Sequence, residues 1–153
     1  MRLVLRVAER LRSLLPAELP LFVRISATDW VAGGWDIEQS VELAKRLKVL
    51  GVDLIDVSSG GMVPQAQIPV SKSYQVPFAR RIRDDAKLST GAVGLITEAR
   101  QANEIITGGD ADLVFIGREL LREPYWALKA EHELGADPTW PVPYGYAVKR
   151  RAK

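Results

Sequence analysis

The stretch Asp112–Leu121, DLVFIGRELL, decides the fold class because its pattern changes from that of a strand to that of a helix. Its first part, Leu113 to Ile116, is a continuous apolar run rich in β-branched residues, which predicts a buried strand. Gly117 ends the run, and Arg118 follows directly at the start of a segment with helical spacing. A buried strand that passes through a short turn into a helix is the repeating unit of parallel α/β proteins.

The same order of strand and helix recurs along the chain. The predicted strands lie at 20–26, 52–61, 88–95 and 111–117, and the predicted helices at 36–50, 73–86, 97–107 and 119–134. Asp36 and Thr97 are expected to cap two of these helices, since short polar side chains accept hydrogen bonds from the first helical N–H groups. Because the strands are apolar without alternation, they predict a parallel sheet with right-handed crossovers and the α/β class.

Both ends of the chain lie outside this strand and helix order. Residues 1–16, MRLVLRVAERLRSLLP, predict an amphipathic leading helix that precedes the first strand. Residues 136–153 contain several prolines and little periodicity, which predicts an extended tail over the surface. With 153 residues, the whole chain is expected to form a single domain.

The composition excludes several classes of protein. Apolar residues make up 47% and charged residues 26% of the chain, as in folded soluble proteins. There is no cysteine, and His132 is the only histidine, so disulfides and Cys- or His-rich metal sites are excluded. No apolar run has the length of a membrane span, and a cytoplasmic location is expected. The net charge is +2, and the basic run at 149–153 is too short to predict nucleic-acid binding.

Candidate binding residues follow the predicted strands, because ligands bind at the carboxyl ends of parallel strands. Gly91 and Gly94 allow a close approach of the backbone, as does Gly117 at the start of a helix. Arg118 adds a planar fork of donors that matches two phosphate oxygens. The pattern therefore predicts a phosphate site. The alternative is a tight turn in which Arg118 pairs with a surface carboxylate such as Glu119 or Glu123.

Arg24 is the second charged residue in an apolar setting, within the strand LFVRIS. A buried arginine without a partner is costly, so this side chain is expected to face an acceptor-rich ligand or a carboxylate. Asp29 and Asp56 are the candidate carboxylates. The residues alone leave the ligand and the ion pair open.

Six blocks of the sequence occur in an order that resembles a known family. They are PLFVRIS, GVDLIDVSSGG, YQVPFARRIR, TGAVGLIT, ADLVFIGRELLREPYW and WPVPYGY. Together they closely resemble the C-terminal half of the Old Yellow Enzyme family, in its bacterial ene-reductase branch. The similarity covers almost the whole chain, and the ordered set is specific although each block alone is weak.

The resemblance implies an FMN-dependent TIM barrel that takes hydride from NADPH or NADH and reduces activated C=C bonds, as in enones. The cofactor-binding residues that it implies are Arg24, Gly91, Ala92, Val93, Gly94, Gly117 and Arg118. Arg24 would contact the pyrimidine edge of the flavin and stabilise the negative charge of its reduced form. Gly117 and Arg118 would hold the phosphate, with residues 91–94 as the neighbouring phosphate loop.

The chain departs from the family pattern in what it lacks. A complete barrel takes on the order of 200 to 250 residues, and this sequence supplies only what resembles strands five to eight. The family's substrate-binding histidine pair and tyrosine proton donor have no counterpart, so no catalytic residue is predicted here. An N-terminal half-barrel, or another copy of the chain, is the expected partner. The alternative is a non-catalytic, self-associating half-barrel that at most binds a phosphate-bearing ligand.

The C-terminal aromatic residues also depart from the family pattern. Some members place an arginine from the neighbouring subunit in the active site, near the position that Tyr146 occupies here. We therefore do not transfer that role. Trp140, Tyr144 and Tyr146 are expected either to form a dimer contact or to pack within the tail.

Overall fold

A computed structural model of the protein describes residues 1–149; the basic run from Arg150 to Lys153 lies outside the described residues. The strands are β1 (Phe22–Ser26), β2 (Leu54–Ser58), β3 (Ser89–Ala92) and β4 (Leu113–Val114). The helices are α1 (Arg2–Leu14), α2 (Ile37–Val49), α3 (Val76–Ala86), α4 (Ala99–Thr107), α5 (Arg118–Arg122), α6 (Trp126–Glu133) and α7 (Val142–Lys149).

The strands form one sheet in the order β1-β2-β3-β4, and every neighbouring pair is parallel. The predicted α/β class with a parallel sheet is confirmed. Strands that follow one another in space as they do in sequence have the arrangement of neighbouring strands in a TIM barrel. A doubly wound sheet would reverse its strand order instead. The fold is therefore consistent with part of a TIM barrel, while the assignment to strands five to eight stays a prediction.

Helices cover one face of the sheet. The side chains of Ile55 and Val57 point to this face and are fully buried. They belong to one apolar cluster with residues from α2 and α3, among them Val41, Ala44, Leu47, Ala79 and Ile82. Residues on successive positions of a strand point to opposite faces, so the remaining strand residues form a second face.

This second face, which we call the inner face, carries Phe22 and Arg24 on β1, Asp56 on β2 and Leu113 on β4. The sheet register aligns Arg24 with Asp56, Asp56 with Gly91, and Gly91 with Leu113. Phe22 and Leu113 remain 46% and 42% exposed. Helices α2 and α3 thus bury one side of the sheet, while the described residues leave the edges of the inner face open.

Helix α2 begins where the sequence predicts. The Asp36 side chain accepts a hydrogen bond from the backbone N–H of Gln39, and the Gln39 side chain accepts one from the N–H of Asp36. This reciprocal capping box satisfies two N–H groups that the helix itself leaves without a partner. Further along, Gly51 follows the helix with a φ of +81°, which glycine adopts without steric cost.

Two local predictions differ from the structure. Helix α4 begins at Ala99 after Glu98, so Thr97 is not its cap. The Gln101 side chain accepts a hydrogen bond from the backbone N–H of Thr97, while the Thr97 carbonyl accepts one from the Trp126 indole. These two bonds hold Thr97 before the helix.

The tail also differs, because residues 142–149 form α7 where an extended segment is predicted. Pro143 lies in the first turn of this helix, where the missing N–H of proline costs no helical hydrogen bond. Upstream, Pro124 separates α5 from α6. None of the helices within residues 1–149 is long and apolar enough to cross a membrane.

Candidate cofactor site

A cleft of about 290 Å³ lies at the carboxyl end of the strands, where ligands of parallel α/β proteins bind. We call it the strand-end cleft. Its lining residues are Arg24, Ser58, Tyr74, Gln75, Val93, Gly94, Leu95, Ile96, Thr97, Phe115, Gly117, Arg118, Glu119 and Arg122. Five of the seven predicted cofactor-binding residues are among them: Arg24, Val93, Gly94, Gly117 and Arg118.

The other two predicted residues, Gly91 and Ala92, lie beneath the cleft and are buried. A Cβ atom on Gly91 would lie 2.1 Å from Cε2 of Phe115, much closer than side chains can approach. The glycine at position 91 therefore makes room for the Phe115 ring, which itself lines the cleft. Its contribution to the site is through packing.

Gly94 occupies a conformation that only glycine adopts readily. Its φ is +119°, and an added Cβ would lie 2.6 Å from the amide nitrogen of Gln75 and 3.0 Å from Cε1 of Tyr74. The next residue, Leu95, also has a positive φ, of +51°. Both conformation and space therefore require glycine at position 94, which explains one of the two glycines in TGAVG.

Backbone donors in the cleft are available to an anion. Within residues 1–149, no backbone carbonyl accepts a hydrogen bond from the N–H groups of Gly94, Gly117 or Arg118. The first N–H groups of a helix have no partner inside the helix. Together with the guanidinium of Arg118, these groups form a set of donors suited to phosphate oxygens.

The alternative for Arg118 was an ion pair with Glu119 or Glu123. In the structure, Glu119 accepts a hydrogen bond from Nε of Arg122 at 3.1 Å, and Nη2 of the same arginine lies 3.0 Å from the carboxylate. Glu123 pairs with Lys129, whose hydrogen bond lowers the pKa of that carboxyl below its usual value. Within residues 1–149, Arg118 makes no ion pair with either carboxylate. This arrangement favours the ligand interpretation.

Arg24 differs from its prediction as a buried residue, since 57% of its side chain is exposed. The reason is the open inner face, onto which β1 turns this side chain. Its Nη1 donates to Oδ2 of Asp56 at 2.9 Å, so Asp56 is the carboxylate partner. Asp29 instead accepts a hydrogen bond from the backbone of Trp35 at 2.9 Å. Arg24 nevertheless lines the cleft. Only Nη1 of its guanidinium group donates to Asp56, so its other N–H groups take no part in this ion pair.

Burial and the Arg24 ion pair act in opposite directions on the pKa of Asp56. Its side chain is only 11% exposed, and Oδ1 is buried without a hydrogen-bond partner among the described residues. Burial raises the pKa of Asp56 above its ordinary value, and the charge and hydrogen bond of Arg24 oppose this shift. The pair therefore holds the arginine at a fixed position on the inner face.

Sequence reasoning missed several residues of the cleft, above all Gln75. A glutamine just before a helix is typical of a solvated position, yet Gln75 is 3% exposed. The only sequence signal was its place in the block YQVPFARRIR. Phe115 was assigned only to a strand. Within residues 1–149, no group of three or more His, Cys, Asp or Glu side chains is placed to hold a metal ion.

Comparison with known proteins connects this chain to a family. Residues 1–137 match the model of the NADH:flavin oxidoreductase / NADH oxidase family. The NADPH dehydrogenase of Geobacillus thermodenitrificans (strain NG80-2) is 56% identical over 125 residues, which are 82% of this chain and 36% of that protein. The NADPH dehydrogenase of Bacillus subtilis (strain 168) is 51% identical over 125 residues, covering 82% and 37%.

A third relative gives the same result. The NADPH dehydrogenase of Listeria monocytogenes serotype 4a (strain HCC23) is 50% identical over 130 residues, covering 85% of this chain and 38% of that protein. The chain thus spans between 36% and 38% of the length of these relatives. The predicted flavin and nicotinamide cofactors are confirmed at the level of the family, and the chain belongs to the NADH:flavin oxidoreductase / NADH oxidase family.

Proposed function

We propose that this chain supplies the phosphate end of an FMN site, and an arginine beside the flavin ring, in an NAD(P)H-dependent oxidoreductase. The observation that carries the proposal is the strand-end cleft, which gathers Arg24, Arg118 and the Gly94 loop in a member of a flavin oxidoreductase family. The bound cofactor would supply hydride transfer from NADPH or NADH to an activated C=C bond. Enones are the substrate class that we propose.

The residues of the cleft fit FMN in chemistry. Arg118 brings a permanent positive charge in fork geometry, and the N–H groups of Gly94 and Gly117 add neutral donors without a backbone acceptor. These groups would bind and orient the phosphate. Because riboflavin lacks the phosphate, the same groups would discriminate between the two flavins.

Arg24 would act at the other end of the cofactor. Asp56 holds one nitrogen of its guanidinium at 2.9 Å, which fixes the position of the charge on the inner face. A fixed positive charge stabilises negative charge that develops on a neighbouring group during a reaction. We therefore propose that Arg24 favours the reduced, negatively charged form of the flavin ring.

We further propose that a partner covers the open part of the sheet. Helix α1 exposes an apolar stripe that consists of Leu3, Val7, Leu11 and Leu14. The inner face exposes Phe22 on the edge strand β1 and Leu113 on the opposite edge strand β4. Open edges with apolar side chains pair with other chains or aggregate. The occupant that we propose is an N-terminal half-barrel, or failing that another copy of this chain.

The catalytic groups for the substrate would come from that partner. The carboxylate of Glu119, which lines the cleft, already forms an ion pair with Arg122. The proposal assigns cofactor binding to this chain and assigns no proton transfer to it. A cytoplasmic location and the absence of a nucleic-acid partner stay predictions from composition.

The proposal is tested by titrating the purified chain with FMN and with riboflavin, followed by flavin fluorescence. We expect FMN to bind at least about tenfold more tightly, since one hydrogen bond to a charged group is worth about 1.5 to 3 kcal/mol. Competition by inorganic phosphate should reduce this preference. Equal affinities for the two flavins would contradict a phosphate site and favour the non-catalytic, self-associating half-barrel.

A further inference from the structure

A chain of hydrogen bonds joins three of the loops that surround the strand-end cleft. The indole Nε1 of Trp30, after β1, donates to the Ser59 hydroxyl at 3.0 Å, and that hydroxyl donates to Oε1 of Gln75 at 2.7 Å. Nε2 of Gln75 then donates to the carbonyl of Val93, after β3, at 2.9 Å. Within this series, the Gln75 amide joins the loop after β2, through Ser59, to the loop after β3, through Val93.

Gln75 is held rigidly. It is 3% exposed, and both ends of its amide are engaged, so the orientation of the amide is determined by its partners. A buried amide that lost these bonds would incur a desolvation cost. Trp30, at the start of the series, packs edge-on against Phe78 of α3, with ring centroids 5.3 Å apart. The series is thus anchored in the helix layer.

The bond to Val93 orients the next peptide N–H. In a trans peptide unit, the C=O and the following N–H point in opposite directions. Because the Val93 carbonyl points to Gln75, the N–H of Gly94 points away from Gln75. Nε2 of Gln75 also lies 2.6 Å from the position that a Cβ atom of residue 94 would occupy. Gln75 therefore determines the direction of this donor and leaves no space for a side chain at position 94.

We infer that Gln75 is a positioning residue for the phosphate loop, through its hydrogen bond to Val93 and its contact with Gly94. It acts by fixing the Gly94 N–H toward the phosphate and needs no contact with the ligand itself. This inference rests on the proposed FMN site. It adds that the preference for a phosphorylated flavin depends on the residue that immediately precedes α3, outside the glycine loops.

The test replaces Gln75 with methionine, which has a similar shape and no amide. We expect the affinity for FMN to fall about tenfold, the worth of a lost hydrogen bond to an anion, while the affinity for riboflavin changes less than about twofold. The carbonyl carbon chemical shift of Val93, which reports its hydrogen bond from Gln75, should change in the ligand-free variant. A merely structural role would lower the affinities for both flavins alike.

Gln39→Met is the matched control, because the Gln39 side chain, like that of Gln75, is hydrogen-bonded to the backbone near a helix start but does not line the cleft. Its preference for FMN should equal that of the unmodified chain. Should Gln75→Met fail to fold, Ser59→Ala removes the donor to Gln75 and should lower the FMN preference in the same direction.

The outcomes separate the two proposals. An unmodified chain without preference for FMN over riboflavin would overturn the proposed function, and this inference with it. An unmodified chain that prefers FMN, with variants that keep this preference in full, would overturn only the role of Gln75.

Discussion

Replacing Arg118 with alanine should weaken FMN binding by about 1.5 to 3 kcal/mol, roughly ten- to 150-fold, as expected for a hydrogen-bonded charge. Arg118 makes no ion pair with its neighbours Glu119 and Glu123, which pair with Arg122 and Lys129 instead. The substitution therefore leaves no carboxylate without its partner. Affinities for FMN and riboflavin, measured by fluorescence titration, should differ less in the variant than in the unmodified chain.

Two further variants show whether FMN binding depends on the planar pair of Arg118 donors or only on positive charge. Arg118→Lys keeps the positive charge but loses the planar pair of donors, so its FMN affinity should be intermediate. Arg100→Ala removes one positive charge from a side chain that is 79% exposed and lies outside the cleft. It should leave FMN binding unchanged. If Arg100→Ala and Arg118→Ala weaken binding equally, the effect is general charge and not a phosphate contact.

Replacing Gly91 with alanine should lower the free energy of unfolding by about 1 to 3 kcal/mol, the usual cost of overpacking. The new Cβ would lie 2.1 Å from Cε2 and 2.6 Å from Cδ2 of Phe115. The ring must then leave its place over β3, and the floor of the strand-end cleft changes with it. Urea unfolding followed by tryptophan fluorescence measures the change in stability.

Gly145→Ala is the control for this experiment. Gly145 lies in α7, where an added Cβ meets nothing within 4 Å, and alanine favours helix over glycine. This substitution should leave stability unchanged or raise it slightly. If Gly91→Ala has the same urea midpoint as the unmodified chain, the Phe115 ring moves aside freely and glycine at position 91 has no packing role.

Features that depend on short stretches of chain were predictable from the sequence. The cap at Asp36 and the short strand that precedes Gly117 each follow from a few neighbouring residues. The resemblance between ordered blocks correctly predicted the family. It also indicated five residues that line one cleft, because backbone loops at strand ends are set by the same local sequence in related proteins.

Features that depend on distant packing were not predictable. Arg24 was expected to be buried because its strand is apolar, yet exposure depends on whether other elements cover the inner face. Gly91 and Gly94 look alike in TGAVG, although one makes room for Phe115 and the other has a φ of +119°. Gln75 gave no signal beyond its place in the block YQVPFARRIR, since its partners Ser59 and Val93 are brought to it only by the fold.

The most direct test of the central claim is to co-express this chain with the part of the Bacillus subtilis NADPH dehydrogenase that lies outside the matched 125 residues. We predict a complex of the two that copurifies with FMN, and whose flavin absorbance is bleached by NADPH. The same complex with Arg118→Ala should carry much less flavin. A stable complex that forms without flavin, and that binds none when FMN is added, would contradict the assignment of the FMN phosphate site to this chain.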